Sequence, residues 1–493
     1  MSSIFTAIVL YVVGNDQLKG FGISLTAGLI ISLFTSLYLT RTMFNMWLHM
    51  RRPTELHMRH LFRNPRFNFM SIRWAMFYIT LLLTVAGGAL FLYRGKQGLD
   101  IDFNGGTAYT GALKSPHDMA WLNEKFSSSN LPDRKIEQIF ISGASEGSAS
   151  KYFTVRTSET STDKVAGEVS RVLGDDLEKN SLASYQVGEK GKQAATASTA
   201  SFAFSTEATL DQVSRVVKDS LQAQSKKGNK IPLSALASAR IDPVGKSAAG
   251  RHAEFQLVLL EPVSSAELVT VFEDVKARYA ANPQPERLDN FNASMAGATQ
   301  GKAMGAIVAS WLAIVLYLWL RFGNWTFGLA ALLCLVHDLF FTLGAIAVCH
   351  YLVGVPGLSA IFQLQDFKID LPAVAALLTL VGYSVNDTIV VFDRIREVRG
   401  RNPLLTEEMI NDSVNQTLSR TVLASLTTWL VVVVLYFSGA EGIHLFAFVM
   451  VIGVIVGTYS SIYIASPLLL MFGEGRAVSQ EATRQIVVED AAT

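Results

Sequence analysis

Asp387 is a lone carboxylate inside an otherwise apolar stretch, Leu371–Phe392. An ionisable group at bilayer depth is costly and marks transport or proton transfer by default. It lies in Val381-Gly382-Tyr383-Ser384-Val385-Asn386-Asp387-Thr388, about two turns and so roughly 10 Å before the boundary arginine Arg394. Tyr383, Ser384 and Asp387 share one helix face, which turns a polar stripe into a bundle. The next apolar stretch is entered through Asn415-Gln416-Thr417-Leu418-Ser419-Arg420, where Thr417, Arg420, Ala424 and Thr428 share a face. Facing Asp387, Arg420 would hold the carboxylate ionised. With the arginine withdrawn, the carboxylate would bind a proton. Such a pair is a proton-relay switch; the alternative is a static buried pair that fixes two helices. Ser384 and Asn386 belong to the same polar surroundings. His337-Asp338, in the middle of another apolar stretch, either relays protons or fixes helix packing.

Other chemistry finds little support. Gly245-Lys246-Ser247 mimics the end of a phosphate loop, but the first glycine of that motif would fall on Arg240 and no strand is expected to lead into it. His117 and His252 stand alone, without metal-ligand spacing. Cys334 and Cys349 lie in one apolar stretch, about 22 Å apart if helical, far beyond disulfide reach. No ATP, metal or haem motif occurs, so no cofactor is expected.

The elements that must position these residues are membrane spans. Of the 493 residues, 50% are hydrophobic and only 17% charged, against roughly 25% in soluble domains, and mean hydropathy is +0.31. A net charge of +1 argues against nucleic acid as a partner. Phe21–Thr40, Trp74–Tyr93, Ala303–Leu320, Thr421–Ala440 and Leu445–Gly473 are uncharged and long enough to cross a bilayer; Thr326–Cys349 and Leu371–Phe392 are apolar apart from the groups above. Met1–Gly14 is apolar but too short to cross, and it lacks the flanks of a signal peptide. Arg41–Arg73, with seven arginines against Glu55, and Arg394–Arg420 are expected to be cytoplasmic. Alternation then places 94–302 outside and returns the tail, 474–493, to the cytoplasm.

The 94–302 segment is polar and patterned in strand–helix units. Phe153 and Val155, Phe202 and Phe204, and Phe255, Leu257 and Leu259 alternate as strands. Each set is followed by apolar residues at helical spacing: Val165, Val169 and Leu173; Val213, Val217 and Leu221; Leu268, Val271 and Val275. Ser115-Pro116 is expected to open a further helix. The pattern predicts ferredoxin-like α+β modules, two in number, with Gly188–Ala200 as a linker between them. The fold class expected is a polytopic α-helical bundle of about seven or eight spans with a large external α+β domain.

The chain also repeats itself. At an offset of 425, Val9-Leu10-Tyr11 and Gly14 match Val434-Leu435-Tyr436 and Gly439, and Phe21, Gly28, Ile30, Ser36 and Tyr38 match Phe446, Gly453, Ile455, Ser461 and Tyr463. The second helix pair is preceded by four spans and a large domain and the first by nothing, so the chain is expected to begin partway through a longer two-repeat transporter.

Four stretches resemble SecF and the fused SecDF proteins, export-accessory members of the resistance–nodulation–division transporters. They are Gly98-Leu99-Asp100-Ile101-Asp102-Phe103-Asn104-Gly105-Gly106-Thr107, Val381–Glu397, Leu418-Ser419-Arg420-Thr421 with Ser425-Leu426-Thr427-Thr428, and Gly457-Thr458-Tyr459-Ser460-Ser461-Ile462. The likeness spans about Arg66 to Met471, and residues 1–50 look like the last two helices of SecD with the first truncated. The resemblance implies these divisions: 1–50, a SecD-like helix pair; 51–73, a basic cytoplasmic linker; 74–93, the first SecF-like span; 94–302, the external domain; 303–473, the remaining SecF-like spans; 474–493, the tail. It implies a non-enzymatic accessory subunit of the Sec translocase in the bacterial cytoplasmic membrane, which uses the proton-motive force to promote polypeptide export. Asp387 and Arg420 match the family's relay pair, and Asp102, Gly105 and Gly106 belong to its motif at the external domain's entry. The implied partners are a SecD-like half, the SecYEG channel, a YajC-like accessory and unfolded preprotein. Two departures stand out: an external domain about twice the usual SecF size, and a SecD half lacking its first domain and four helices. A proton-driven efflux or lipid transporter, and an inactive truncated fragment acting as a membrane scaffold, are the alternatives.

Overall fold

The computed structural model describes residues 2–474 except 14–15, 52–64, 141–144, 147–148, 189–195, 227–230, 233–236, 246–250, 282–283, 356, 403 and 440. Most of the 51–73 linker, the tail from residue 475, and Lys246-Ser247 lie outside the described residues. The chain divides into two compact units, Met1–Asn104 with Ala296–Thr493, and Gly105–Met295. This boundary differs from the expected 94–302. Gly95–Asn104 packs with the helical unit, and the helix expected from Ala303 already begins at Ala293. Hydrogen bonding carries a helix beyond the apolar run that would mark its membrane-buried part.

Among the described residues, the helical unit has seven helices long and apolar enough to cross a membrane: Lys19–Arg51, Phe69–Gly98, Ser294–Phe322, Trp325–Leu352, Leu371–Arg399, Glu407–Ser438 and His444–Phe472. Its elements are α1 (Ser2–Val13), α2 (Asp16–Phe34), α3 (Thr40–Arg51), α4 (Arg73–Arg94) and α5 (Ile101–Asn104), then α10 (Ala293–Phe322), α11 (Trp325–Leu352), α12 (Leu358–Phe362), α13 (Leu371–Arg399), α14 (Glu407–Ser438), α15 (His444–Ser460) and α16 (Ser466–Leu469). Boundaries follow local chemistry. Asp370 caps α13 by accepting from the Ala373 amide at 2.8 Å, and Pro372 sits where a missing amide costs nothing. Thr406 caps α14 through the Met409 amide, with Glu407 and Glu408 in its first turn.

α13 is the most enclosed of these helices, with seventeen buried residues from Leu371 to Ile395. α15 lies along it. A Cβ on Gly453 would sit 2.5 Å from a Leu380 methyl, and one on Gly457 would sit 3.0 Å from the Ser384 Cβ, so the GxxxG pair serves close packing as its spacing predicts. α4 meets α11 through Gly87 and Gly344, where a Cβ on Gly344 would stand 2.5 Å from the Gly87 Cα. The repeat is visible in three dimensions. Single π-turns interrupt both copies, at Thr35–Leu39 and Ser461–Ala465, within one residue of the sequence offset. The matched rings Phe21 and Phe446 stack on each other, centroids 5.8 Å apart.

The second unit comprises β1 (Gly106–His117), α6 (Met119–Phe126), β2 (Lys135–Ile139), β3 (Ser145–Glu146), β4 (Ala149–Thr157), α7 (Thr162–Leu173), β5 (Leu182–Val187), β6 (Thr196–Thr209), α8 (Leu210–Lys226), β7 (Arg240–Val244), β8 (Arg251–Ser264), α9 (Ser265–Ala281) and β9 (Arg287–Phe291). One sheet has the order β2-β4-β1-β9, with β3 on β4, and the other the order β5-β6-β8-β7; all pairs are antiparallel. With α6 and α7, β1, β2, β4 and β9 form a complete βαββαβ unit of ferredoxin-like order. Everything from β5 to α9 is one continuous insertion between α7 and β9, and this is the extra module. Tyr109, Phe153 and Val155 pack on α6 and α7 in the first core; Phe202, Phe255 and Leu257 pack on α8 and α9 in the second.

Three expectations are corrected here. A strand, β7, does lead into Gly245, ending at Val244, while Arg240 still stands where the phosphate-loop motif needs its first glycine. Ser115-Pro116 belongs to β1, because Asp118 is the residue that caps α6, accepting from the Trp121 amide at 2.9 Å. Gly188–Ala200, whose middle lies outside the described residues, joins neighbours of one sheet, since β5 pairs with β6. The modules instead meet at Glu286, which forms a largely enclosed ion pair with Arg251 at 3.1 Å; that guanidinium also covers the Tyr152 ring at 5.2 Å. Burial pushes the Glu286 carboxyl up, and Arg251 opposes the shift. Because the inserted module owns its strands, helices and core, residues 182–281 produced alone are expected to fold. Circular dichroism should give a mixed α/β spectrum and a cooperative melt; a non-cooperative melt would show that the module depends on its host.

Candidate functional site: a polar cluster in the helical unit

The polar groups inside the bundle form two networks on either side of α13. Asp387 is 3% exposed and accepts a hydrogen bond from Ser425 Oγ on α14 at 2.9 Å. Ser425 in turn accepts from Thr458 Oγ1 on α15 at 2.7 Å. Asp338, 1% exposed on α11, accepts from Ser384 Oγ on α13 at 2.5 Å, from Ser460 Oγ on α15 at 3.0 Å, and from the Nδ1 of its neighbour His337 at 3.0 Å. The far nitrogen of His337, Nε2, meets the Tyr459 hydroxyl at 3.1 Å.

The single stripe expected on α13 is therefore divided. Ser384 serves Asp338 and Asp387 serves α14, while Tyr383 is half-buried. Residues three apart on a helix differ by about 60° around its axis, enough to address different neighbours. Asn386 is exposed and lines a polar cavity of about 1010 Å³ with Asp393, Arg394, Gln416, Ser419 and Arg420.

Arg420 departs further from expectation. The buried stripe of α14 runs through Val414, Leu418, Thr421 and Ser425, whereas Arg420 and Ala424 are exposed and Thr417 and Thr428 half-buried. Among the described residues no ion pair joins Arg420 to Asp387. The arginine faces the cavity, and Ser425 takes the place beside the carboxylate. The row legible from spacing was that of Thr417, Arg420 and Thr428; which row turns inward depends on where α13 and α15 lie. Thr421, next to Arg420, has a buried hydroxyl with no partner among the described residues, one turn from Ser425.

Ser425, Thr458, Tyr459 and Ser460 stand in recognisable stretches, but Ser and Thr are common in membrane helices, so their types alone gave no signal. Asp102 lies away from both networks. Its Oδ2 accepts from the Leu371 amide at 3.3 Å, so it helps to hold the start of α13. Parallel pairing of Leu99 with Ile369 secures the same junction. Gly105 and Gly106 have φ of +84° and +146°, a backbone that L side chains rarely adopt, at the start of the α+β unit. His117 stacks on Trp121, with centroids 3.9 Å apart, and among the described residues no cluster of side chains could hold a metal ion.

The family model for the C-terminal part of protein export membrane proteins SecD/SecF matches residues 271–475. A protein translocase subunit SecF from Desulfurispirillum indicum is 42% identical over 215 residues, 43% of this chain and 63% of that subunit. The SecF subunit of Rickettsia akari is 43% identical over 168 residues, covering 34% and 49% respectively. The crystal structure of SecDF, a translocon-associated membrane protein from Thermus thermophilus, superposes with a TM-score of 0.58 at 24% identity, over 96% of this chain and 47% of that one. SecDF in its super-membrane-facing form gives 0.56 at 25% identity, over 98% and 48%. The chain thus spans less than two thirds of these subunits and about half of the SecDF chains. Its seven long apolar helices and these relatives make it a multi-pass protein of the bacterial inner membrane.

Proposed function

We propose that the chain, whose residues 271–475 match the family model for the C-terminal part of SecD/SecF export membrane proteins, acts as an accessory subunit of the Sec translocase, drawing polypeptide outward at the expense of the proton-motive force. The observation that carries the reading is Asp387, a carboxylate enclosed in the bundle with a serine hydroxyl as its hydrogen-bond donor, one residue from an arginine-lined cavity. Such a group stores a proton in a place where its charge is costly. In this reading Asp387 is the proton carrier. Arg420, at the cavity wall, changes the local field when it turns toward or away from the bundle. Water reaching Asn386 and the Thr421 hydroxyl supplies the connection between them. The energy source is the proton gradient, with no bound cofactor and no enzymatic step. A SecD-like half, the SecYEG channel and a YajC-like accessory are the partners, and unfolded preprotein is the substrate.

The test is complementation. The chain is co-expressed with a SecD-like half in cells depleted of their own SecD and SecF, and export of a reporter precursor is followed with and without a protonophore. Restored export that collapses on protonophore addition is the expected result. Restoration insensitive to the protonophore would remove the proton-driven part. Failure to restore export despite correct membrane insertion would remove the translocase role.

A further inference from the structure

Asp338 is as enclosed as Asp387, yet its surroundings differ in kind. Three donors converge on its carboxylate from three helices, and one of them is a titratable ring. His337 Nδ1 faces a carboxylate, so Nδ1 is the donor, and the protonation state of the pair is decided at Nε2. There the partner is the Tyr459 hydroxyl, which both donates and accepts. With Nε2 bare, Tyr459 donates to it; with Nε2 protonated, the ring donates to Tyr459 and the phenolic proton turns elsewhere, with Thr80 beside it. The 3.1 Å separation suits a hydrogen bond in either direction. The other titratable neighbour is Cys334, on α11 itself. α13 contributes Ser384, α15 contributes Ser460 and α4 contributes Thr80. Among the described residues no lysine or arginine pairs with Asp338.

A carboxylate beside a neutral imidazole leaves one net negative charge buried in the bundle, with hydroxyls as its other partners. A proton on Nε2 turns the pair into an imidazolium–carboxylate that is neutral overall. Removing that charge is favourable where water is excluded. A structural role would need only a donor on Asp338, which an asparagine-like network also offers; it would not need a titratable ring with an amphoteric partner on its far side.

We propose that His337 and Asp338 form a second proton-binding site of the bundle, distinct from Asp387, in which a proton taken from water is held on His337 Nε2 and returned to water from the same atom. The two sites share α13, through Ser384 and Asp387, and α15, through Ser460 and Thr458, so each loading event bears on the same pair of helices. The inference rests on the proton-driven reading above for its purpose, but its chemistry can be measured without export.

The experiment uses the whole chain in lipid nanodiscs with nitrogen-labelled histidine, the His337 signal being assigned by its loss in His337→Gln. Nuclear magnetic resonance is expected to show the His337 ring passing from neutral to doubly protonated as the sample is acidified. Asp387→Asn is expected to leave that transition in place. Asp338→Asn, which keeps size but removes the charge, is expected to move it to lower pH by at least about one unit. Tyr459→Phe, which keeps the ring packing, is expected to displace the midpoint by about half a unit or more. A ring locked in one neutral tautomer at every pH at which the protein stays folded would overturn the proposal, as would a transition that disappears in Asp387→Asn. Should Asp387→Asn export normally while His337 still titrates, the relay reading of Asp387 falls and the second site stands.

Discussion

Asp387→Asn is expected to lower proton-driven export of a reporter precursor at least about tenfold while leaving expression and membrane insertion unchanged. Asparagine preserves the size of the side chain and can still accept the Ser425 hydrogen bond, so the three-helix contact survives. What it loses is the ability to exchange a proton, and no neighbour can replace that, since Ser425 and Thr458 are hydroxyls. The loss is therefore expected in export rate and in its dependence on the proton gradient, with thermal stability close to that of the parent protein. Normal export by the variant would sink the relay role. Arg420 adds a second arm. In this structure it stands in the cavity and makes no ion pair with Asp387, so Arg420→Ala is expected to leave stability nearly untouched. A double-mutant cycle on export asks whether the two meet during turnover. Non-additive losses would reveal a conformation in which the arginine swings inward, and additive losses would separate their roles.

The second large effect is expected in the packing of the bundle. Gly87 and Gly344 bring the backbones of α4 and α11 so close that a Cβ on either would stand 2.5–2.7 Å from the other's Cα. Real side-chain carbons do not approach backbone that closely, so any substitution separates the helices. Gly344→Ala is expected to cost about 1–3 kcal/mol. Gly344→Leu is expected to prevent stable association of the two helices, because the obstacle is backbone and cannot rotate away. The flanking contacts cannot compensate, since lipid solvates apolar side chains as well as a neighbouring helix does. Thermal melting of the protein in nanodiscs checks this. A Gly344→Leu variant that melts within about 3 °C of the parent would show that the crossing contributes little to stability.

How far the sequence could be read followed physical scale. Seven spans were legible because an uninterrupted run of about 20 apolar residues matches the hydrocarbon thickness of a bilayer and is rare in soluble domains. The repeat was legible because Phe21, Gly28, Ser36 and Tyr38 recur in order, and their structural trace is a π-turn in each copy. The strands and helices of the α+β unit were legible through alternation and helical spacing. Their connectivity was not. Gly188–Ala200 has the composition of a linker, yet it joins two paired strands, because composition reports flexibility and not which strands pair. Ser115-Pro116 suits either a helix start or a strand end, and Asp118 decided the matter by capping.

The candidate site divides along the same line. The sequence by itself determined that Asp387, His337 and Asp338 are ionisable groups at membrane depth, because a charge in an apolar run is visible without any neighbour. Only the tertiary structure decided what each group meets. It gave Asp387 a serine from α14 in place of Arg420. It turned Ser384 toward Asp338, and it closed a network through Tyr459 and Ser460 that spacing alone did not suggest. The physical reason is angular. One residue's step along a helix turns a side chain by about 100°, so facing and missing a partner differ by a single position. That choice is made by how α13, α14 and α15 pack, which no one helix encodes.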